Sequence, residues 1–353
     1  MPDKTANFLD TQDKYWQELR SLRQFERDLV ENIRNDADLH YENHLQSMTG
    51  VKHYDSSTLS SSFTLAKPGD REGFTNWHRQ RGILKTAKGG VEVWIEWRRL
   101  RKIPRNSIQD KECRVRATIL AQMLHINKPP SFCSPKCIGF INDRGQNYLN
   151  DRYGWIFEIS PKPAQDQYKP TLKQRIHLAC KLASSLLYLH AANWLHNGFN
   201  SENIIFKFHP IHKEKFDADT PIVSGFEYSR PRTENWIESQ YPHWDIYRWP
   251  RIQGEAPDTE NCRKIFDIYS LGLVLLEVAH WRPLHEIMCL KKWPVSSRQD
   301  SRIRTWLLKE ERFPPFKDAD PLGELRTIAG DGYYRAVRCC IIAYGEEGMR
   351  VQG

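Results

Sequence analysis

Apolar positions recur along this chain with two distinct periods. Tyr15/Trp16, Leu19, Leu22, Leu29 and Ile33 are spaced by threes and fours, apart from one step of seven, and neither Pro nor Gly occurs from Thr11 to Met48. That pattern predicts an amphipathic helix over about 11–35. Val91-Glu-Val-Trp-Ile-Glu-Trp97 alternates strictly after the Lys88-Gly89-Gly90 turn, so it reads as a strand. Residues 109–125 read as a helix with Val115, Ile119 and Met123 on one face. Cys137–Phe140 and Tyr153–Glu158 read as short strands. From Thr171 to His190 the helical period returns, with Leu172, Ile176, Ala179, Ala183 and Leu186 expected on one buried stripe. Phe266–Ala279 is apolar almost all round, which predicts a central buried helix. Strands first and helices afterwards predict a two-lobed α+β architecture.

Composition refines this picture. A Ser/Thr stretch from Ser56 to Thr64, followed by Pro68-Gly69, has linker character. The expected organisation is a helical segment at 1–50, a linker at 51–66, one domain at 67–345 and an irregular tail at 346–353. The formal net charge of +8 divides unevenly. The first 50 residues hold six Lys+Arg against ten Asp+Glu, so the positive excess lies beyond them. Arg98, Arg99, Arg101, Lys102 and Arg105 form the densest basic cluster. Such a cluster reads first as a solvated face and only second as a nucleic-acid or anionic-surface site.

No run approaches the roughly 18 apolar residues of a membrane span. The start MPDKTANFLD lacks a basic region followed by an apolar core, so a non-secreted chain is expected, in the cytoplasm or the nucleus. Eight cysteines in 353 residues do not make a disulfide framework. Cys133 and Cys137 with His209 and His212 have spacing that zinc permits, but buried thiols in an ordinary loop are the favoured reading, and no metal is expected.

Between the two strongest helices lies His196-Asn-Gly-Phe-Asn-Ser-Glu-Asn203-Ile-Ile-Phe206, preceded by Leu186-Leu-Tyr-Leu-His190. This resembles the catalytic loop of the protein kinase superfamily, H-R-D-L-x-x-x-N at the end of a long helix. Asp267-Ile-Tyr-Ser-Leu-Gly-Leu-Val-Leu-Leu-Glu277 resembles the buried kinase helix that follows it. The resemblance covers roughly Lys67 to Tyr344. It implies a bilobal kinase-like fold, with a small β-rich lobe and a large helical one, preceded by the N-terminal helix.

Phosphoryl transfer needs a phosphate-covering loop, a Lys, a metal-binding Asp and Asn, and an Asp base. The resemblance aligns His196 and Asn203 with their motif counterparts and puts Gly198 where the base belongs. No Asp occurs from His190 to His212. Ser224-Gly-Phe226 stands where D-F-G is expected, and a neutral hydroxyl does not replace a carboxylate on Mg²⁺. The strand at 91–98 offers Glu96 or Arg98 in place of the Lys, with Glu112 as the expected acidic partner of Arg98. Gly69, Gly73 and Gly82 are too scattered for a phosphate cradle. Trp249-Pro-Arg251 replaces A-P-E. Asp267 is expected to cap the backbone of the 196–198 loop, as its kinase counterpart does.

Loss of base, metal Asp and Lys together implies a pseudokinase, a non-catalytic regulatory or scaffolding module with no expected cofactor. The wording of "LHNGFNSENIIF", "SGFEYSRP" and "IYRWPRIQG" resembles degenerate fungal kinase-like domains associated with HET-s/LopB-type helical (prion-inhibition and propagation) domains. That implies incompatibility or immune-type signalling. The partners implied are proteins, such as an upstream helical signalling domain or an NLR-like protein. Two alternatives stand beside it. One is an unorthodox ATP/Mg²⁺-dependent protein kinase holding nucleotide through Arg98, Glu112 and Asn203. The other is a binder of anionic surfaces or nucleic acid through Arg98–Arg105, although nucleic acid is the less expected partner.

Overall fold

The structure is a computed structural model describing residues 4–35, 50–54, 79–86, 89–100, 103–143, 151–158, 169–207, 217–231, 242–253, 264–290, 302–309 and 320–343. The chain divides into two compact units, Met1–Ser160 and Pro161–Gly353. The secondary structure is mixed α+β.

The first unit is built on a five-stranded mixed sheet. Its strands are β1 (Lys52–Tyr54), β2 (Arg79–Thr86), β3 (Gly89–Arg99), β4 (Cys137–Asp143) and β5 (Arg152–Phe157), in the order β1-β4-β5-β3-β2. β1 runs parallel to β4, and the other pairs are antiparallel. The alternation in β3 splits its side chains between two faces. Val93, Ile95 and Trp97 join Leu84, Ile141 and Ile156 in one hydrophobic cluster. Trp94, Glu96 and Arg98 point the other way, opposite Phe157, Trp155 and Tyr153 of β5. Gly154 is required here, because a Cβ on it would lie 2.7 Å from the Trp97 ring.

The face with Trp155 receives helix α2 (Ile108–His125). Ser107 caps this helix by accepting the Asp110 N–H. Trp155 Nε1 donates to the Ala117 carbonyl at 3.0 Å, and the Tyr153 hydroxyl donates to Asp110 Oδ1 at 3.2 Å. Helix α1 (Lys4–Asn35) packs against α2. Its buried Tyr15, Leu19, Leu22 and Val30 form the anchoring stripe, and Tyr15 sets its ring edge-on to Phe132 at 6.0 Å. Each such burial is worth about 1.5–3 kcal/mol. The expected linker at 51–66 is corrected at its start. Lys52–Tyr54 are drawn into the sheet by pairing with Gly139–Ile141, and 55–66 lie outside the described residues.

The second unit is mostly helical. It contains α3 (Leu172–Ala191), α4 (Lys264–His280), α5 (Leu284–Ile287), α6 (Ile303–Leu307), α7 (Leu325–Ala329) and α8 (Asp331–Ile342). Thr171 and Gln174 form a capping box at the start of α3, each side chain bonding the other's backbone N–H. The stripe expected on α3 needs correction. Leu178, Ala179, Leu182, Leu186 and Leu189 are buried, whereas Leu172 and Ile176 are exposed. The buried stripe begins only at Leu178. Helix α4 is buried on nearly every side between Phe266 and Ala279 and packs against α3, α5, α7 and α8. Two short ladders complete the unit. β6 (Trp194–Leu195) pairs with β9 (Arg230–Pro231), and β7 (Ile204–Ile205) pairs with β8 (Ile222–Val223). Together they bring the 196–203 loop beside the 224–229 segment. Among the described residues, no helix is long and apolar enough to cross a membrane. The irregular tail expected at 346–353 lies outside the described residues.

Candidate functional site

The 196–203 loop is organised from below by one carboxylate. Asp267, in the first turn of α4, is 1% exposed. Its Oδ2 accepts the His196 N–H at 2.7 Å and the His190 Nε2–H at 3.0 Å, and its Oδ1 accepts the Asn197 N–H at 2.8 Å. Burial alone would raise this carboxyl. The hydrogen bond and charge of His190, with His196, outweigh that and hold it below the usual range. The turn it supports passes through Asn197 at φ 56°, a left-handed conformation that Asn tolerates well.

His196 is buried, with Phe199 at 5.4 Å and Phe226 at 5.1 Å between ring centroids. Its Nδ1 accepts the Gly198 N–H at 3.3 Å. A Cβ on Gly198 would meet the Tyr228 ring at 3.2 Å. The space where a side chain at 198 would begin is therefore already lined by an aromatic ring.

Asn203 and Ser224 close the loop on itself. The Asn203 side-chain amide donates to the Gly198 carbonyl at 2.5 Å. Asn200 accepts the Asn203 N–H at 3.0 Å and donates to the same Gly198 carbonyl at 3.2 Å. The Ser224 N–H and hydroxyl both donate to the Asn203 carbonyl, at 2.8 and 3.0 Å. Gly225 follows at φ 88°, and a Cβ there would lie 2.2 Å from Asn203 Nδ2. Only glycine lets the Asn203 amide occupy this position.

A second network surrounds the far end of α4. The Tyr247 hydroxyl donates to Glu277 Oε1 at 2.7 Å and lies 3.0 Å from the Ser201 hydroxyl. The Leu284 N–H donates to the same Oε1 at 2.6 Å. Glu202 accepts the Trp244 Nε1–H at 2.9 Å. Asn197, Gly198, Tyr228, Trp244, Tyr247 and Arg248 help line a half-open recess with about 10 Å³ available to a water centre. That is room for about one water.

The remaining sequence candidates lie in the first unit. Arg98 is half-buried on β3, opposite Tyr153. Glu112 pairs with Arg116 one turn along α2 at 3.2 Å, and no ion pair between Arg98 and Glu112 forms among the described residues. The α2 carboxylate that reaches the sheet is Asp110, through Tyr153. Glu96 is fully buried, 3.7 Å from Arg79 on the neighbouring strand. Arg105 is committed to Asp151 at 2.6 Å, and Arg101 and Lys102 lie outside the described residues. Cys137 donates its thiol hydrogen to the Gly139 carbonyl, and burial pushes the thiol up to about 12. Among the described residues no group of three His, Cys, Asp or Glu side chains has a metal-holding arrangement. His209 and His212 lie outside them.

Residues 102–346 match the model of a domain of unknown function, DUF7580. The match spans more than half of the chain. The chain belongs to the DUF7580 family. The DUF7580 match takes in α2, the 196–203 loop, Asp267 and Glu277, and leaves α1 and β1–β3 outside it. Comparison with curated proteins finds no match.

Sequence reasoning named the loop residues but gave no role to His190, Asn200, Tyr247 or Glu277. His190 and Glu277 stand inside the two motifs. Their signal was the presence of polar residues in otherwise apolar helices, which demands a buried partner.

Proposed function

We propose that this chain carries a bilobal, kinase-like fold whose phosphoryl-transfer chemistry has been dismantled, and that it works as a non-catalytic regulatory or scaffolding module for protein partners. The observation that carries this reading is the closed 198–203–224 loop. Three of its polar side chains, Asn200, Asn203 and Ser224, bond the loop's own backbone. Gly198 brings no side chain, and Tyr228 lines the space one would enter. A phosphoryl-transfer site would instead present a carboxylate base and a metal-binding carboxylate there. The support from Asp267 is architectural, since it holds the backbone of the turn rather than any reacting group. The resemblance to fungal incompatibility modules suggests signalling through protein contacts as the setting.

Thermal-shift titration with ATP, with and without Mg²⁺ or Mn²⁺, tests the proposal. The expected result is no saturable, metal-dependent rise in Tm and no phosphate transfer to a generic substrate. Robust transfer that Asn203→Ala abolishes would overturn it and favour the unorthodox kinase.

A further inference from the structure

Glu277 is a buried carboxyl with an asymmetric environment. It is 5% exposed and sits three residues from the end of α4, where the helix's own carbonyls disfavour negative charge. Both hydrogen bonds it receives go to one oxygen, from the Tyr247 hydroxyl and the Leu284 N–H. Its Oε2 is buried with no hydrogen-bond partner among the described residues. Ser201, 3.0 Å from the Tyr247 hydroxyl, is followed in the chain by Glu202, whose carboxylate also disfavours the charge on Glu277. The groups that reach α4 from other elements bind elsewhere. The Arg175 guanidinium of α3 bonds the Ala279 carbonyl, the Tyr333 hydroxyl of α8 bonds the Leu275 carbonyl, and His280 faces the Pro321 carbonyl and Glu324. Among the described residues, no cation pairs with Glu277.

Tyr247 ends a 3₁₀ segment (Pro242–Tyr247), and a second short turn (Pro250–Ile252) follows it. Among the hydrogen bonds that fasten this stretch are Tyr247 on Glu277, Ser270 Oγ on the Tyr247 carbonyl at 2.6 Å, and Trp244 on Glu202, and two of these end on carboxylates. Trp249 adds ring contacts to Phe266 and Tyr269 of α4, at 6.3 and 5.5 Å between centroids.

We propose that Glu277 is a proton-operated latch: while it holds a proton, Tyr247 and the 242–252 segment stay seated on α4, and when it loses the proton they lift away. An ionised Glu277 is stabilised better by water than by two donors on one oxygen, so ionisation favours the opened, hydrated arrangement. Burial, ahead of the partial offset from Tyr247, Leu284 and Ser201, pushes this carboxyl up to about 7. The closed form therefore binds the proton more tightly than the open form, and opening grows as pH rises between the two values. For an open-form value near 4.5, linkage gives an opening equilibrium about 30-fold larger at pH 8 than at pH 5.5.

The experiment is amide hydrogen exchange of the whole chain at pH 5.5 and pH 8, corrected for intrinsic exchange rates. Residues 242–252 should lose about 30-fold protection at the higher pH, and Glu277→Gln should remove that difference. Equal protection at both values, or the same loss in Glu277→Gln, overturns the latch. Infrared titration of the wild-type chain is independent of the variant's folding. It should show a protonated carboxyl band, its C=O accepting hydrogen bonds, that disappears with a midpoint near pH 7, and absence of that band at pH 5.5 also overturns it. Tyr247→Phe keeps the carboxyl, so it should open more at both pH values while retaining the dependence. A flat profile in that variant counts against the proposal.

Discussion

Asp267 and Glu277 lie on one buried helix, ten residues apart, and burial acts on them with the same sign. Their outcomes are opposite. Asp267 sits in the first turn, shares three donors between both oxygens, and has an imidazole beside it. Its carboxyl is held down. Glu277 sits near the last turn, receives two donors on one oxygen, and has a second carboxylate for a neighbour. Its carboxyl is pushed up to about 7. Burial sets the cost of a charge, but the number and sign of the groups facing it decide whether the charge survives. One end of the helix thus supports a rigid loop, and the other end is responsive.

The largest effect expected from breaking this contrast is at the rigid end. Asp267→Ala leaves two backbone N–H groups and His190 without their acceptor in the interior, and should cost about 3–5 kcal/mol. Urea denaturation measures it, and a loss below about 1 kcal/mol would show that the loop does not depend on this carboxylate. Gly225→Ala comes next. It combines a left-handed φ with a Cβ placed 2.2 Å from Asn203 Nδ2. A cost of about 2–4 kcal/mol is expected by denaturant melting, and a neutral result would mean that Asn203 readily leaves the Gly198 carbonyl.

The smallest effect is the difference in pH dependence. Glu277 has a raised folded value, so the folded state holds a proton that the unfolded chain has released. Stability from this group is therefore full below about 4.5 and is lost as pH rises towards about 7. Between pH 5.5 and 8 the loss should be about 2 kcal/mol in the wild-type chain and absent in Glu277→Gln. Asp267 has the opposite sign. Its folded value is depressed, so its contribution is present above the unfolded carboxylate value and is lost only as pH falls through the lower folded one. A pH–stability curve with both arms, only the neutral one sensitive to Glu277→Gln, would sharpen the comparison. A curve flat above pH 5.5 would erase it.

Much of the secondary structure was legible from period alone. The strand around Val91–Trp97 and the helices around Val115–Met123 and Phe266–Ala279 follow from alternation and from apolar residues in helical register. The face of α3 differs from the expected one because Leu172 and Ile176 have the right period but remain exposed, while the buried stripe runs through Leu178, Leu182 and Leu189. β1 carries no sequence signal because three residues, none of them fully buried, are too short to show a period. At the site, the spacing of His196, Gly198, Asn203 and Asp267 was visible. Of the partners, the Asp267 cap on the 196–198 backbone was expected. Ser224 bonding the Asn203 carbonyl, and Tyr247 bonding Glu277, depend on where distant segments cross in space.

By itself, the sequence determined which chemistry is available. It supplies no carboxylate at 198 or 224, and it places acids at 267 and 277 inside an apolar helix. A residue's chemistry is covalent and needs no fold to be known. The resemblance anticipated the Asp267 cap, but only the tertiary structure decided the full donor set of each acid and what Glu277 does. Which donors reach a carboxylate, and on which oxygen, is set by segments far apart in the chain: His190 and the 196–197 turn for Asp267, Tyr247 and Leu284 for Glu277. Proton affinity in an interior is the balance of burial against those donors, and that balance exists only once the segments have packed together.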